Sequence, residues 1–453
     1  MELEFTIGGL SQALASKELS SVELTQMALS RLRERGAKHR VARELTEARA
    51  LAEAKASDER RAKGKTLGPH DGIPYGVKDL LATKGIPTRW GSVGHGDQVF
   101  DYDATVVKRL SEAGAVLVAK LSMIELAGGG GYDVPWATDM GGAVLSSANP
   151  ALWAGGSSSG SGAAVGLGCL PFAIGSETSG SILCPCAFNG ISGIRPTYGR
   201  VSRHGAMALS WTLDKIGVLS RAAGDSATVL SVIAGRDPAD KSTTFRPFAM
   251  ESGSRKPVVG VVKEAFAANR ASACEEGYNR VIENLRRQGY EVVPVTMPPV
   301  PSAGLAVSIL VDGDGASAHE NFIRSEKIEQ MPDKQQLAGL KASLEQPTVD
   351  YLWAMRVRTE MESANAVWRE CDVLFRPIFY QGALAADKPL SQTWVRMGNT
   401  DIPLANLLGW PAAAIPMAED PVTKGPIGGQ FIGPAYADAD CLRVAIDATR
   451  RPD

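Results

Sequence analysis

The sequence predicts an α/β protein built on a largely parallel sheet. Two observations carry that expectation: short apolar runs alternate with stretches whose apolar residues recur at helical spacing, and glycine or proline punctuates nearly every junction between them. A third sets the scale. With 453 residues, 44% of them apolar, the chain is long enough to bury a large core. No linker, repeat or shift of composition divides it, so residues 1–453 are expected to form a single domain. The most helical and least patterned stretch, 298–368, is expected to act within it as a substrate cap.

Taken in order, SSVELTQMALSRLRER (20–35) has helical spacing, and Ser20 with Glu23 fits a capping box. Residues 41–64, rich in Ala, Glu, Lys and Arg, read as one solvated helix ending at glycine. HDGIPYGVKDLLATKGIPTRWGS (70–92) brackets a short strand around Tyr75–Val77, which puts Lys78 where a strand runs into a loop. ATVVKRLSEAG then predicts a helix and AVLVAKLS a buried strand. GAAVGLGCL suits a short helix of small residues, and LPFAIGSE a strand. Farther on, 220–235 predicts a helix, 256–264 a strand, 278–290 a helix and 291–297 a strand.

Charge and cysteine content narrow the function. Lys plus Arg (48) nearly balances Asp plus Glu (50), and a net charge of −2 offers no general attraction to nucleic acid or to an anionic membrane. A small-molecule substrate is expected instead. Six cysteines without regular spacing suit reduced thiols. The opening MELEFTIGGL carries acids where a signal peptide needs positive charge, and no apolar stretch is long enough to span a bilayer. A cytoplasmic location is expected.

Two runs of serine and glycine stand out, GGSSSGSGAA (155–164) and GSETSGSILC (175–184). Serine is a poor nucleophile until a base takes its proton. Histidine is the usual base, but the chain has five histidines and no G-x-S-x-G elbow, which disfavours a Ser-His-Asp triad. Lysine can replace it where burial makes the ammonium form costly. Lys78, after the apolar IPYGV, is the candidate. Its bland reading is a surface lysine paired with Asp79.

The segments GPHDGIPYGVKD, GGSSSGSGAA, GSETSGSI and NGISGIRPTYGRVSRHG, in that order, closely resemble the amidase signature family. The resemblance runs over nearly the whole chain, from about Phe5 to GQFIGPAYADADCLRVAIDA. It implies a large mixed, mostly parallel sheet flanked by helices, and a Ser–cisSer–Lys amidohydrolase. Carried over by position, Lys78 is the catalytic lysine, Ser157 the bridging serine after a cis peptide, and Ser181 the nucleophile. Main-chain N–H groups of Thr178, Ser179, Gly180 and Ser181 would face the oxyanion, and Ser158 would support the site by hydrogen bonding. Ala127 and Gly128, in the stretch running into GGGG (128–131), would contact the acyl group.

The chain departs from the family pattern at two positions beside Ser181. Ser179 replaces a common glycine, and Leu183 stands where many members carry arginine, which suggests an apolar setting and an uncharged substrate. Cys184 and Cys186 read as buried small side chains, since a lone C-x-C without histidine is a weak metal signal. GGGG lacks the lysine and hydroxyl of a phosphate loop. No metal or organic cofactor is expected.

The leading expectation is therefore an amidohydrolase for small, largely uncharged aryl or alkyl amides, with carbamates (urethanes) and esters as further candidates. A homodimer is expected by resemblance alone. The alternative is the glutaminase (A) subunit of a tRNA-dependent amidotransferase, which would deliver ammonia to a partner. A silent scaffold is disfavoured because all three reactive positions are intact.

Overall fold

A computed structural model describes residues 5–250, 255–262, 272–298, 301–392 and 402–450. Eleven strands form one sheet: β1 (Ala42–Leu45), β2 (Pro74–Lys78), β3 (Val116–Leu121), β4 (Phe172–Glu177), β5 (Ser192–Arg195), β6 (Lys215–Ser220), β7 (Val259–Val262), β8 (Val292–Val295), β9 (Val373–Pro377), β10 (Ala412–Glu419) and β11 (Pro426–Ile432). Their spatial order is β1-β3-β2-β4-β6-β5-β10-β11-β9-β7-β8.

The sheet is mixed, as expected, but its parallel share is smaller than the sequence suggested. β2 runs parallel to both β3 and β4, and β7 to both β8 and β9. The other pairings, β1–β3, β4–β6, β5–β6, β5–β10, β10–β11 and β9–β11, are antiparallel. The parallel pairs lie toward the two ends of the sheet, while the centre is antiparallel, with β10 and β11 joined by a short return and the other central partners brought together from farther along the chain. Pro416 sits at the register shift between β10 and β11, where its missing N–H breaks no ladder bond.

Helices cover both faces: α1 (Ile7–Ala15), α2 (Ser21–Arg31), α3 (Glu47–Ala62), α4 (Thr105–Glu112), α5 (Ser159–Gly166), α6 (Leu183–Asn189), α7 (Ala223–Ile233), α8 (Ser272–Arg287), α9 (Ala303–Ile323), α10 (Lys334–Ser343), α11 (Thr348–Glu360), α12 (Ile402–Leu407) and α13 (Asp438–Thr449). The capping box forms: Ser20 N–H donates to Glu23 Oε2 at 2.7 Å, and Glu23 N–H to Ser20 Oγ at 3.1 Å. The stretch read as one helix over 41–64 is instead β1 followed by α3. Pairing with β3 overrides the helix propensity of Ala42–Leu45. Part of the strand expected over 256–264 lies outside the described residues.

The sheet divides the core into two apolar layers, one under α5 and α6 and one under α4, α7 and α13. β2, β3 and β4 are buried on both faces, which is why their sequences read as nearly unbroken apolar runs. Among the described residues no helix is long and apolar enough to cross a membrane.

Candidate active site

β2 and β4 run side by side and parallel, so Lys78 and Glu177 end neighbouring strands at the same edge of the sheet. In open α/β sheets that carboxyl-terminal edge is where ligands bind. Lys78 is fully buried and does not pair with Asp79; the Asp79 carboxylate faces Lys120 at 3.5 Å instead. The surface-lysine reading is thereby excluded.

Lys78 Nζ lies 2.7 Å from Ser157 Oγ and 2.9 Å from Ser176 Oγ. Burial lowers its pKa from 10.5 to about 7, against the opposing pull of the Asp214 and Glu177 carboxylates. Desolvation thus favours the uncharged amine at a pH where a lysine in water is almost wholly protonated.

The two serine runs meet here. The Gly156–Ser157 peptide bond is cis, as the family resemblance implied. Ser158 N–H donates to the Ser181 carbonyl at 3.3 Å, tying the first run to the second. Ser158 Oγ donates to the Ser176 carbonyl at 3.1 Å and accepts from Ser176 N–H at 3.3 Å, which pins the run to β4. Close packing explains the glycines. A Cβ at Gly155 would sit 2.9 Å from Cys184 Sγ, and one at Gly160 would meet the Val41 carbonyl at 2.3 Å.

Ser181 lies at the tip of the 178–182 turn between β4 and α6, almost buried. Gly180 has φ +93°, a conformation open to glycine at little cost. Among the described residues, the N–H groups of Ser179, Gly180 and Ser181 have no backbone acceptor, so they are free to donate to a ligand. Thr178 is anchored from the side, its hydroxyl donating to Asp214 Oδ1 at 2.6 Å.

Four residues the sequence did not single out complete the frame. Glu177 Oε2 accepts from the N–H groups of Ile182 (2.9 Å) and Leu183 (3.0 Å), while its Oε1 takes Arg195 at 2.8 Å and Asn406 at 3.0 Å. Burial alone would raise this carboxyl, but the Arg195 guanidinium prevails and holds it down to about 2. Asp214 accepts from Thr178 and from the N–H groups of Leu209 (2.8 Å) and Ser210 (2.9 Å). Ser176 is the second partner of Lys78. Tyr132 packs where a Cβ of Gly128 would meet its ring at 2.7 Å and one of Gly156 its hydroxyl at 3.2 Å. That contact places the Ala127–Gly128 turn, with φ +55° and +97°, next to the cis-peptide run.

Leu183 is wholly buried in the apolar core. It reads as packing rather than as a wall facing substrate, so its identity says little about substrate charge. Cys184 and Cys186 are buried free thiols, and among the described residues no group of three metal-ligating side chains occurs.

The family model for amidases matches residues 23–442. The chain belongs to the amidase family. It is accordingly a hydrolase acting on carbon–nitrogen bonds other than peptide bonds. Among curated relatives, it is 33% identical to the glutamyl-tRNA(Gln) amidotransferase A subunit of Anaeromyxobacter dehalogenans, over 96% of this chain and 94% of the relative. It is 34% identical to the protein of that name in Chloroflexus aggregans, over 99% and 98%. Among solved structures, the peptide amidase of Stenotrophomonas maltophilia superposes with a TM-score of 0.83 at 28% identity, over 99% of this chain and 98% of that one.

Proposed function

We propose that this amidase cleaves a small carboxamide through an acyl-enzyme on Ser181, with Lys78 and Ser157 as its proton relay. The single observation that carries the reading is the fully buried Lys78 amine 2.7 Å from the Ser157 hydroxyl, where burial favours its uncharged form. Lys78 takes the Ser157 proton, Ser157 takes that of Ser181, and the freed oxygen attacks the carbonyl carbon. The N–H groups of the 178–181 turn meet the resulting oxyanion, each such donor typically contributing roughly 3 kcal/mol to the transition state. Ser157 then protonates the departing amine, and water cleaves the ester by the reverse path.

Helices α9, α10 and α11 fill the stretch expected to cap the site. Supporting that role, Gln336 Nε2 of α10 donates to the Glu125 carbonyl at 2.8 Å, and Asp333 accepts from Asp133 N–H at 2.8 Å. These bonds seat the start of α10 on Glu125 and Asp133, which flank the Ala127–Tyr132 turn.

For the substrate, the curated relatives favour the amidotransferase reading over the free amidase. They are amidotransferase A subunits matched over nearly their full length, and Leu183, buried in the core, no longer argues for an uncharged substrate. Glutamine is then the amide, and partner subunits receive its nitrogen. The second reading, a free amidase for uncharged amides, is favoured by the full-length likeness to a peptide amidase. Ammonia release from glutamine and amine release from an anilide, each measured with wild-type and Ser181→Ala protein, separate the two. Turnover that survives Ser181→Ala would reject the mechanism under either.

A further inference from the structure

Tyr132 spans the gap between two backbone stretches that the mechanism needs side by side. Its ring edge fills the space where a Cβ of Gly128 would sit 2.7 Å from Cε1, and its hydroxyl lies 3.2 Å from where a Cβ of Gly156 would sit. The phenol therefore reaches from the turn expected beside the acyl group to the residue that precedes Ser157. The two stretches are also joined through their backbones, because Ile124 N–H donates to the Ser157 carbonyl at 3.1 Å.

The ring is held in place, whereas its hydroxyl is unengaged. Tyr132 is partly buried against the apolar core and meets Trp153 edge to face, with 6.2 Å between ring centroids. The next residue is anchored from two sides: Asp133 N–H donates to Asp333 Oδ2 at 2.8 Å, and its carboxylate accepts from Ser391 N–H at 2.6 Å. Among the described residues, the Tyr132 hydroxyl has no hydrogen-bond partner. Burial pushes its pKa upward, so it stays a neutral phenol, able to donate and to accept, across the neutral range.

The chemistry says what such a hydroxyl can do here. When the tetrahedral intermediate collapses, the carbon–nitrogen bond breaks and the nitrogen takes a proton from the Ser157 hydroxyl, which Lys78 resupplies. The acyl group stays on Ser181 as an ester. For that transfer the nitrogen lone pair, delocalised in the planar amide, must turn toward the Ser157 proton, and the N–H must then point elsewhere. Lys78 Nζ already occupies one side of Ser157 Oγ at 2.7 Å. The nitrogen has to reach the same oxygen from another direction, and the Tyr132 hydroxyl stands at the Gly156 end of the run. A leaving oxygen carries spare lone pairs and no hydrogen, so an ester needs no such acceptor. We propose that Tyr132 is a specificity-determining residue whose hydroxyl accepts a hydrogen bond from the N–H of the scissile amide, and so favours amides over esters of the same acyl group. The bond acts on the departing nitrogen, where it serves the transition state more than the bound substrate. The proposal rests on the Ser181 reading above and holds for either substrate considered there.

The test uses substrate pairs that share an acyl group and differ in the leaving atom: glutamine with glutamate γ-methyl ester, and 4-nitroacetanilide with 4-nitrophenyl acetate. Tyr132→Phe removes only an oxygen that bonds no described residue, so its melting temperature should match wild type. In that variant the ratio of kcat/KM for amide to that for ester should fall about threefold to tenfold, the weight of one neutral hydrogen bond, in whichever pair the wild type cleaves. The rate of fluorophosphonate labelling at Ser181, a reaction with no nitrogen to hold, should stay within twofold. A ratio that does not move, including one in which amide and ester fall together, overturns the proposal. So does a loss of labelling as large as the loss of amide turnover, which would mark a structural role. Labelling at Ser181 without turnover of either amide overturns the proposal and leaves the Ser181 reading standing. No turnover and no labelling would bring down both.

Discussion

Replacing Ser176 by valine tests how the lysine is aimed. A neutral amine has two N–H donors and one lone pair, so for that lone pair to face the Ser157 proton, an N–H must be held elsewhere. Ser176 Oγ, 2.9 Å away, is the acceptor that does it. Valine fills the vacated space with methyl groups and leaves no room for a substituting water. A hydrogen bond to an ammonium is worth about 1.5–3 kcal/mol and one to a neutral group about 0.5–1.5. The loss therefore falls harder on the charged form, by about 1–1.5 kcal/mol, or roughly one pH unit. The acid limb of kcat/KM, expected near 7 from the lowered Lys78 value, should move to about 6. The plateau above it should drop about threefold to tenfold as the lone pair loses its aim. Ser176→Thr, which keeps the hydroxyl in the same volume, should restore both. The assay is kcat/KM from pH 5 to 9 on an amide the wild type turns over. A limb that stays put in Ser176→Val, or moves upward, refutes the reasoning.

Other outcomes follow from the same geometry. Ser181→Ala should abolish amide turnover and fluorophosphonate labelling while its circular dichroism and melting temperature match wild type, because the hydroxyl makes no bond on which the turn depends. Lys78→Met should raise stability. A fall from 10.5 to about 7 corresponds to about 5 kcal/mol charged against the protonated form. That cost is complete below pH 7 and fades as pH rises toward 10.5, so denaturant titrations should show the larger gain at pH 6 than at pH 9. Glu177→Ala should destabilise the fold by about 3–5 kcal/mol, since it strands the buried Arg195 charge. Glu177→Gln should lose less in chemical denaturation, because its amide oxygen can still meet Arg195 or the N–H groups of Ile182 and Leu183.

Lys78, Ser157 and Ser181 were legible chiefly because four motifs in a fixed order resemble the amidase signature family; local pattern alone offered two serine–glycine runs and a lysine at the end of an apolar strand, and did not say which serine reacts. Ser176, Asp214, Arg195 and Tyr132 were not, because each acts across a tertiary contact that spacing cannot show. Glu177 stood inside the quoted GSETSGSI run, yet its four bonds to Ile182, Leu183, Arg195 and Asn406 appear only when β4, α6, β5 and α12 converge. Strand β1 hid in a helix-forming composition. Strand β10, begun by three alanines and holding Pro416, has little strand propensity of its own and forms because β5 and β11 flank it.

The claim on which the mechanism depends is that the resting Lys78 amine sheds its charge near neutral pH. The rate of fluorophosphonate labelling at Ser181, followed from pH 5 to 10 by peptide mass, reads that amine without requiring the natural substrate. The rate should rise about tenfold per pH unit, level off near pH 7 and lose this dependence in Lys78→Met. A wild-type rate that is flat from pH 5 to 8, or that climbs only above pH 9, would contradict it.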